Sequence, residues 1–402
     1  MQTHNGEQSH TAQEKPQRRY DIDWLRVIAI LAIFFYHCSR FFGPEGWHLK
    51  NAEQVFAIEG IRAGLIWMWV MELFFLLSGV GSWYALKSRT AGQYVLERVK
   101  RLLIPLYTVG LLILIPPQFY FEIVTNDGFT GTFWESIPRF FGRLGWPRLS
   151  RSPFSLVPFP LGGHLWFLQY LFLMSLVLLP LLLYLKSASG QRLIATLAGW
   201  CERRGGILFF VIPIALVQIG LKSVFKGRFT WADFCYYAVF FVIGYMIPAD
   251  ARFTESIKRH GWVCLPLWFA GFSGIAFFIV ALDHNPYLVT APFSLIFVLA
   301  EIVVSITSWS AVVFMLSLGA KYLNFKNRLL AYAGEAVLPF YIFHQTIILC
   351  VGWFVLRWDI GILPKYLIIA VMSFALIMGL YELLVRRFNV LRFFFGMRPK
   401  RN

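Results

Sequence analysis

An all-α integral membrane protein, one bundle of about ten transmembrane helices with both termini in the cytoplasm, is the fold this sequence predicts. Three observations carry the prediction. Hydrophobic residues make up 58% of the 402 positions and charged residues only 14%, whereas soluble domains hold about 45–50% and about 25%. Apolar stretches of about twenty residues, the length that crosses the hydrocarbon layer as a helix, recur from Trp24 almost to the C-terminus. The charges lie mostly in the short connections between those stretches. Secreted, fibrous and disordered classes are excluded, and a single polytopic domain accounts for the length better than several soluble ones.

Ten spans follow in order. The first, 24 to 42, comes directly after Lys15, Arg18 and Arg19. The preceding residues are polar with no apolar core, so it reads as an uncleaved anchor behind a cytoplasmic tail over 1–23. The second, 62 to 85, carries MELFFLLSG, and the third, 102 to 124, opens on the basic run ERVKRLLIPL. The connection from 125 to 163 is the longest, with five prolines, four arginines and many aromatics. Such a loop reads either as a sugar-binding lid on the periplasmic side or as a segment anchored among lipid headgroups. The fourth span, 164 to 185, begins at GGHLWFLQ. Spans over 207–225, 231–248, 261–282, 291–318, 335–356 and 362–385 rest on apolar length, and a basic tail over 386–402 ends the chain.

The formal charge of +16 could suggest nucleic acid, but its distribution points to orientation in a lipid bilayer instead. Of the 37 Lys and Arg residues, 25 fall on segments sharing a side with the N-terminus and 12 on the opposite side, which sets both termini inside. Cys38, Cys201, Cys235, Cys264 and Cys350 form no CxxC pair and read as free thiols, with no metal site. No nucleophile elbow, Walker loop, HExxH or dinucleotide fingerprint is present, which removes the common hydrolase, nucleotide and zinc readings.

Ionisable groups inside a bilayer are costly, so each is a functional candidate. Arg26 and His37 stand eleven residues apart on the first span, which at 100° per residue puts them on one helix face about 16 Å apart. That gap matches the reach of a pantetheine arm: a cation near one edge and an imidazole deeper in the same face could grip a coenzyme A headgroup while its thioester meets the histidine. The alternative is a histidine satisfied by a neighbouring helix. Arg98 and Arg101 at the mouth of span three suit phosphate through the planar guanidinium fork, or merely obey the charge-orientation rule. Glu72 could share the depth of His37 and tune it, or bridge helices. His164, Trp166 and His344 are further candidates for chemistry or packing. A rival class, a proton-coupled transporter, would use His37, Glu72, Glu301 and His344 as a proton path.

DIDWLRVIAI with Arg26, FYHCSRF with His37, MELFFLLSG, the Arg98/Arg101 pair before LLIPLY, LWFL after His164, and YIFHQ together resemble the membrane acyltransferase-3 family along nearly the whole chain. GHLWFL, KYLNFKNRLLAY and YELLVRRFNVLRFFFG are similar to its glucan-modifying succinyltransferase subgroup, although Glu72 stands where many relatives have Asp. The resemblance implies an acyl-CoA donor, acetyl-CoA or succinyl-CoA, on the cytoplasmic side of a bacterial inner membrane, and a carbohydrate acceptor on the far side. It implies catalysis by His37 and donor binding by Arg26, Arg98 and Arg101; Glu72 is expected to assist the base, and His164, Trp166 and His344 to bind the acceptor. No nucleic acid partner and no metal are expected.

Overall fold

Within hydrocarbon no water satisfies backbone N–H and C=O groups, so a chain of this composition must close its hydrogen bonds within helices. The computed structural model describes residues 19–58, 66, 68–144, 152–153, 163–282 and 291–400. Helix accounts for 79% of it, and no strand occurs among the described residues.

The chain opens on α1, Tyr20–Ser39, whose first turn carries Asp21 and Asp23 where the helix dipole favours anions. The second helix, α2, covers Val70–Ser88. The third, α3, runs over Ala91–Asn126. Thr90 and Gln93 exchange side-chain and backbone hydrogen bonds at its start, satisfying two N–H groups that would otherwise lack partners. This helix widens to π geometry at Val99–Leu103 and Leu106–Leu114 before returning to α at Ile115. A short α4, Phe133–Gly142, lies within the long connection, which is therefore not wholly irregular. Its Trp134 is exposed while Ser136 and Phe140 are buried, and its remaining flank, 145–151 and 154–162, lies outside the described residues.

Helices α5, Trp166–Val177, and α6, Leu179–Lys186, meet at a 54° bend beside Pro180. Then come α7, Ala188–Glu202, and α8, Gly206–Lys222, followed by α9, Trp231–Met246. The C-terminal half holds α10, Ala251–Leu282, α11, Leu295–Tyr322, α12, Arg328–Val355, and α13, Ile362–Leu380. A π turn, Tyr381–Val385, and a short α14, Asn389–Phe394, complete the chain.

Among the described residues seven helices are long and apolar enough to cross a membrane, or eight if the bent α5/α6 pair is one span. The sequence count of ten differs at α2 and α8. Glu72, Lys87 and several serines and glycines lower the apolarity of α2, most of which faces protein, while α8 is short. Two connections expected as loops, 249–260 and 319–334, are largely continuations of α10, α11 and α12.

Helix α1 lies amid the bundle, packed on α2, α11, α12 and α13. Helices α2 and α9 cross with their backbones nearly touching. A Cβ on Gly79 would lie 1.9 Å from the Phe241 carbonyl oxygen, and one on Gly244 2.0 Å from that of Leu76. Only glycine fits at either position, and this close approach substitutes dispersion contact for the hydrophobic drive that lipid removes.

Candidate active site

Arg26, Ile30, Ile33 and His37 recur at helical spacing along one face of α1. Between the two polar residues lies an apolar cavity of about 70 Å³, lined by Ile30, Ile33, Met71, Phe167, Leu338 and Tyr341 among others. The face thus reads as cation, apolar cleft, imidazole.

The cationic end gathers more charge than the sequence candidates alone. Arg98 Nη2 donates to Ser82 Oγ at 2.9 Å, Tyr94 donates to the same oxygen at 3.0 Å, and the guanidinium lies 4.7 Å from the Tyr94 ring centre. Arg26 donates to the Leu77 carbonyl at 3.2 Å, which ties α1 to α2. Arg101 lies within Coulombic range of Arg26, Arg98 and Arg398. Glu97 is shared by Arg89 at 3.2 Å, Arg101 at 3.8 Å and Arg398 at 3.9 Å. Asp23 pairs with Arg26 at 3.4 Å, and two carboxylates against five guanidiniums still leave a net positive field suited to a polyanion. The C-terminal segment closes the cluster: Gly396, at φ +66°, lies so close to the Arg101 carbonyl that a Cβ would approach to 2.7 Å.

At the other end three histidines converge. His344 on α12 presents its ring edge to His37 at 4.9 Å and to His164 at 5.2 Å between centroids. His37 Nδ1 lies 2.9 Å from the Ile33 carbonyl, which can only accept, so the proton sits on Nδ1 and the lone pair on Nε2. The same logic applies to His344, whose Nδ1 faces the Tyr341 carbonyl while its buried Nε2 has no partner among the described residues. His164 is the opposite tautomer. Its Nε2 donates to Ile342 O at 3.0 Å and its Nδ1 accepts from Gln118 at 3.1 Å. Tyr341 donates to the His164 carbonyl, so the two helices hold one another in register.

A belt of polar groups, most of them uncharged, braces this cluster. Gln118 Nε2 also donates to Thr346 Oγ1 at 2.7 Å, and Gln345 donates to Gln118 Oε1 at 2.9 Å. Gln345 faces His48 at 3.1 Å, and His48 lies 3.1 Å from the Glu122 carboxylate. The sequence reading missed Gln118, Gln345, Thr346, His48 and Glu122. A signal was present: Gln118 follows Pro116 and Pro117 inside an apolar span, and Gln345 adjoins His344.

Glu72 does not join His37. It accepts a hydrogen bond from Tyr236 at 3.0 Å and lines a separate cavity of about 420 Å³ with Gln218, Lys222, Asp233 and Tyr237. Its helix register, not its depth, sends it there. Trp166 packs among Tyr170, Phe229 and Tyr237, behind that cavity and away from the histidines. Glu301 is buried near Lys222 and Asp233. The four groups a proton path would need are thus split between two sites. Among the described residues no three His, Cys, Asp or Glu side chains converge as metal ligands, and all five cysteines are free.

Comparison with known proteins bears on what this arrangement does. The chain is similar to glucans biosynthesis protein C of Salmonella schwarzengrund (strain CVM19633), 23% identical over 398 residues and 95% of each chain. It is as similar to the proteins of that name from Salmonella agona (strain SL483) and Salmonella enteritidis PT4 (strain P125109), over 402 residues and the same shares. No solved structure matches. The profile of the acyltransferase domain, family 3, matches residues 19–382, which takes in α1 and its two polar ends, the histidine cluster and nearly every helix around them, so the chain belongs to the acyltransferase-3 family and is a membrane acyltransferase.

Proposed function

We propose that this protein is an O-acyltransferase of the bacterial inner membrane that moves an acetyl or succinyl group from cytoplasmic acyl-CoA to a hydroxyl of a periplasmic or cell-envelope glucan. The observation that carries the reading is the face of α1: an arginine cluster, an apolar cleft, then a histidine with Nε2 free to accept a proton. In this scheme Arg26, Arg98 and Arg101, helped by Arg89 and Arg398, hold the phosphates of the donor. The pantetheine arm follows Ile30 and Ile33 toward the histidines. An acceptor hydroxyl donates its proton to His37 Nε2 while its oxygen bonds to the thioester carbon. The C–S bond then breaks, and the departing thiolate takes the proton back from the imidazolium. His344 Nε2 has a lone pair that can accept from a neighbouring hydroxyl of the same sugar, and His164, held by Gln118, fixes the position of the pair.

The test is transfer by the purified protein in lipid nanodiscs, with radiolabelled acetyl-CoA or succinyl-CoA and gluco-oligosaccharides as acceptor. Alkali-labile label in the oligosaccharide is the expected result; no transfer from either donor overturns the proposal. The orientation is tested by cysteine labelling on a background lacking native cysteines. Impermeant reagent should reach Gly131→Cys and not Glu255→Cys in intact spheroplasts, and the reverse pattern overturns the inward termini.

A further inference from the structure

The larger cavity is not used by the chemistry at His37, yet it is built for a ligand. Its volume of about 420 Å³ falls in the range of small-molecule sites. Gln218 lines it, is buried, and has an Oε1 without a hydrogen-bond partner among the described residues. A buried amide oxygen without a donor is costly unless a ligand or water supplies one. Glu72, also buried, offers a carboxylate on the same wall, held from one side by Tyr236.

The chemistry of the wall selects among donors. An anion would face Glu72, Asp233 and the unpartnered Gln218 Oε1, and Lys222 is already paired with Asp233 at 2.8 Å. A simple cation would meet Lys222, Lys226 and Arg228 on the same lining. A neutral polyhydroxyl group meets both conditions, because each hydroxyl donates to a carboxylate or amide oxygen and accepts from an ammonium or phenol. Position supports the same reading: Met71 lines both this cavity and the apolar cleft beside Ile33, so one side chain lies between them.

We propose that the cavity lined by Glu72, Gln218, Lys222, Asp233 and Tyr236 is a carbohydrate subsite. It holds one sugar unit of the acceptor while another unit of the same chain presents its hydroxyl to His37. This inference rests on the carbohydrate-acceptor reading above, and it assigns Glu72 to acceptor binding, not to the base.

The experiment compares β-gluco-oligosaccharides of one to six units as acceptors and as binding probes, in wild type, Gln218→Met and Tyr236→Phe. Methionine keeps the length of the glutamine and removes its polar atoms. The wild-type KM should fall once the oligosaccharide is long enough to fill both sites. Gln218→Met should erase that gain, raising KM for the longer acceptors about tenfold, with the KM for acyl-CoA and the thermal midpoint unchanged. Tyr236→Phe should raise it in the same direction, which guards against a folding defect in one variant. Equal KM values for wild type and both variants at every length overturn the subsite while leaving acyl transfer standing. Oligosaccharide binding that is lost in Gln218→Met, without transfer in wild type, supports the subsite and removes the proposed reaction; neither binding nor transfer removes both.

Discussion

The two polar ends of α1 are built by opposite means. The arginine end is assembled largely from neighbours in sequence: Arg89, Glu97, Arg98 and Arg101 lie at or within the first turns of α3, and only Arg26 and Arg398 come from afar. Several of its guanidiniums remain partly exposed. The histidine end draws one imidazole each from α1, the mouth of α5 and α12, and an amide from α3, so that nearly every hydrogen bond in it joins distant segments. A site made of exposed, redundant cations tolerates loss of one member. A site in which three rings pack edge to face and lean on one belt of amides does not.

The largest expected effect tests that contrast at its centre. His37→Ala should lower acyl transfer by about 10²–10⁴-fold, the usual contribution of a positioned base, while acyl-CoA still binds because the arginines are untouched. His37→Gln, polar but without a titratable nitrogen, should be nearly as inactive. In wild type kcat/KM should fall as pH drops through the pKa of the imidazole, since the protonated ring accepts nothing. Turnover of more than about a tenth of wild type in His37→Ala would contradict a general-base role.

Next in size is the cationic end. Arg98→Ala combined with Arg101→Ala should weaken acyl-CoA binding by one to two orders of magnitude, on about 1.5–3 kcal/mol for hydrogen bonds to charged groups, with turnover at saturating donor retained. Isothermal titration with acyl-CoA and with the 3′-dephospho analogue separates the contacts. A smaller loss with the analogue assigns one arginine to the 3′-phosphate, and unchanged affinity for both probes in the double variant removes the arginines from donor binding.

The contrast also explains what could be read in the sequence. Arg26 and His37 share one helix, and a fixed rise and angle per residue suffices to place them on one face. Arg98 and Arg101 are similarly local. The membrane class was legible from composition, whereas the setting of α2 was not, because apolarity alone cannot distinguish protein from lipid as the surroundings of a helix that carries a buried Glu72. Glu72 had two readings, beside His37 or as a bridge between helices, and its bond from Tyr236 is the second; depth on two helices leaves the direction of each side chain open. Gln118 and Gln345 carry no charge, yet an amide in hydrocarbon needs partners as surely as a carboxylate does.

A prediction of intermediate size follows from those amides. Gln118→Leu removes the donor to His164 Nδ1 and the acceptor for Gln345, leaving buried polar groups unpaired at about 1–3 kcal/mol. If Gln118 positions the histidines, kcat should fall severalfold with the acyl-CoA dissociation constant unchanged, and Gln118→Glu should recover part of the rate because its oxygens still accept from Gln345. A lowered thermal midpoint with wild-type kcat would assign Gln118 to stability alone.

The smallest effect is expected at Arg398. Its side chain is 74% exposed and meets Glu97 only at 3.9 Å, a geometry in which an ion pair contributes little to stability. Its contribution to a bound polyanion would come through the field, which at about 0.15 M salt decays over roughly 8 Å. Arg398→Ala should therefore weaken acyl-CoA binding about two- to threefold at low ionic strength and negligibly in high salt, whereas the loss from Arg98→Ala, whose guanidinium is fixed by Ser82 and Tyr94, should persist across the range. Equal salt dependence for the two variants would mean that the cluster acts as one diffuse field, and the distinction between a contact arginine and a steering one would be lost.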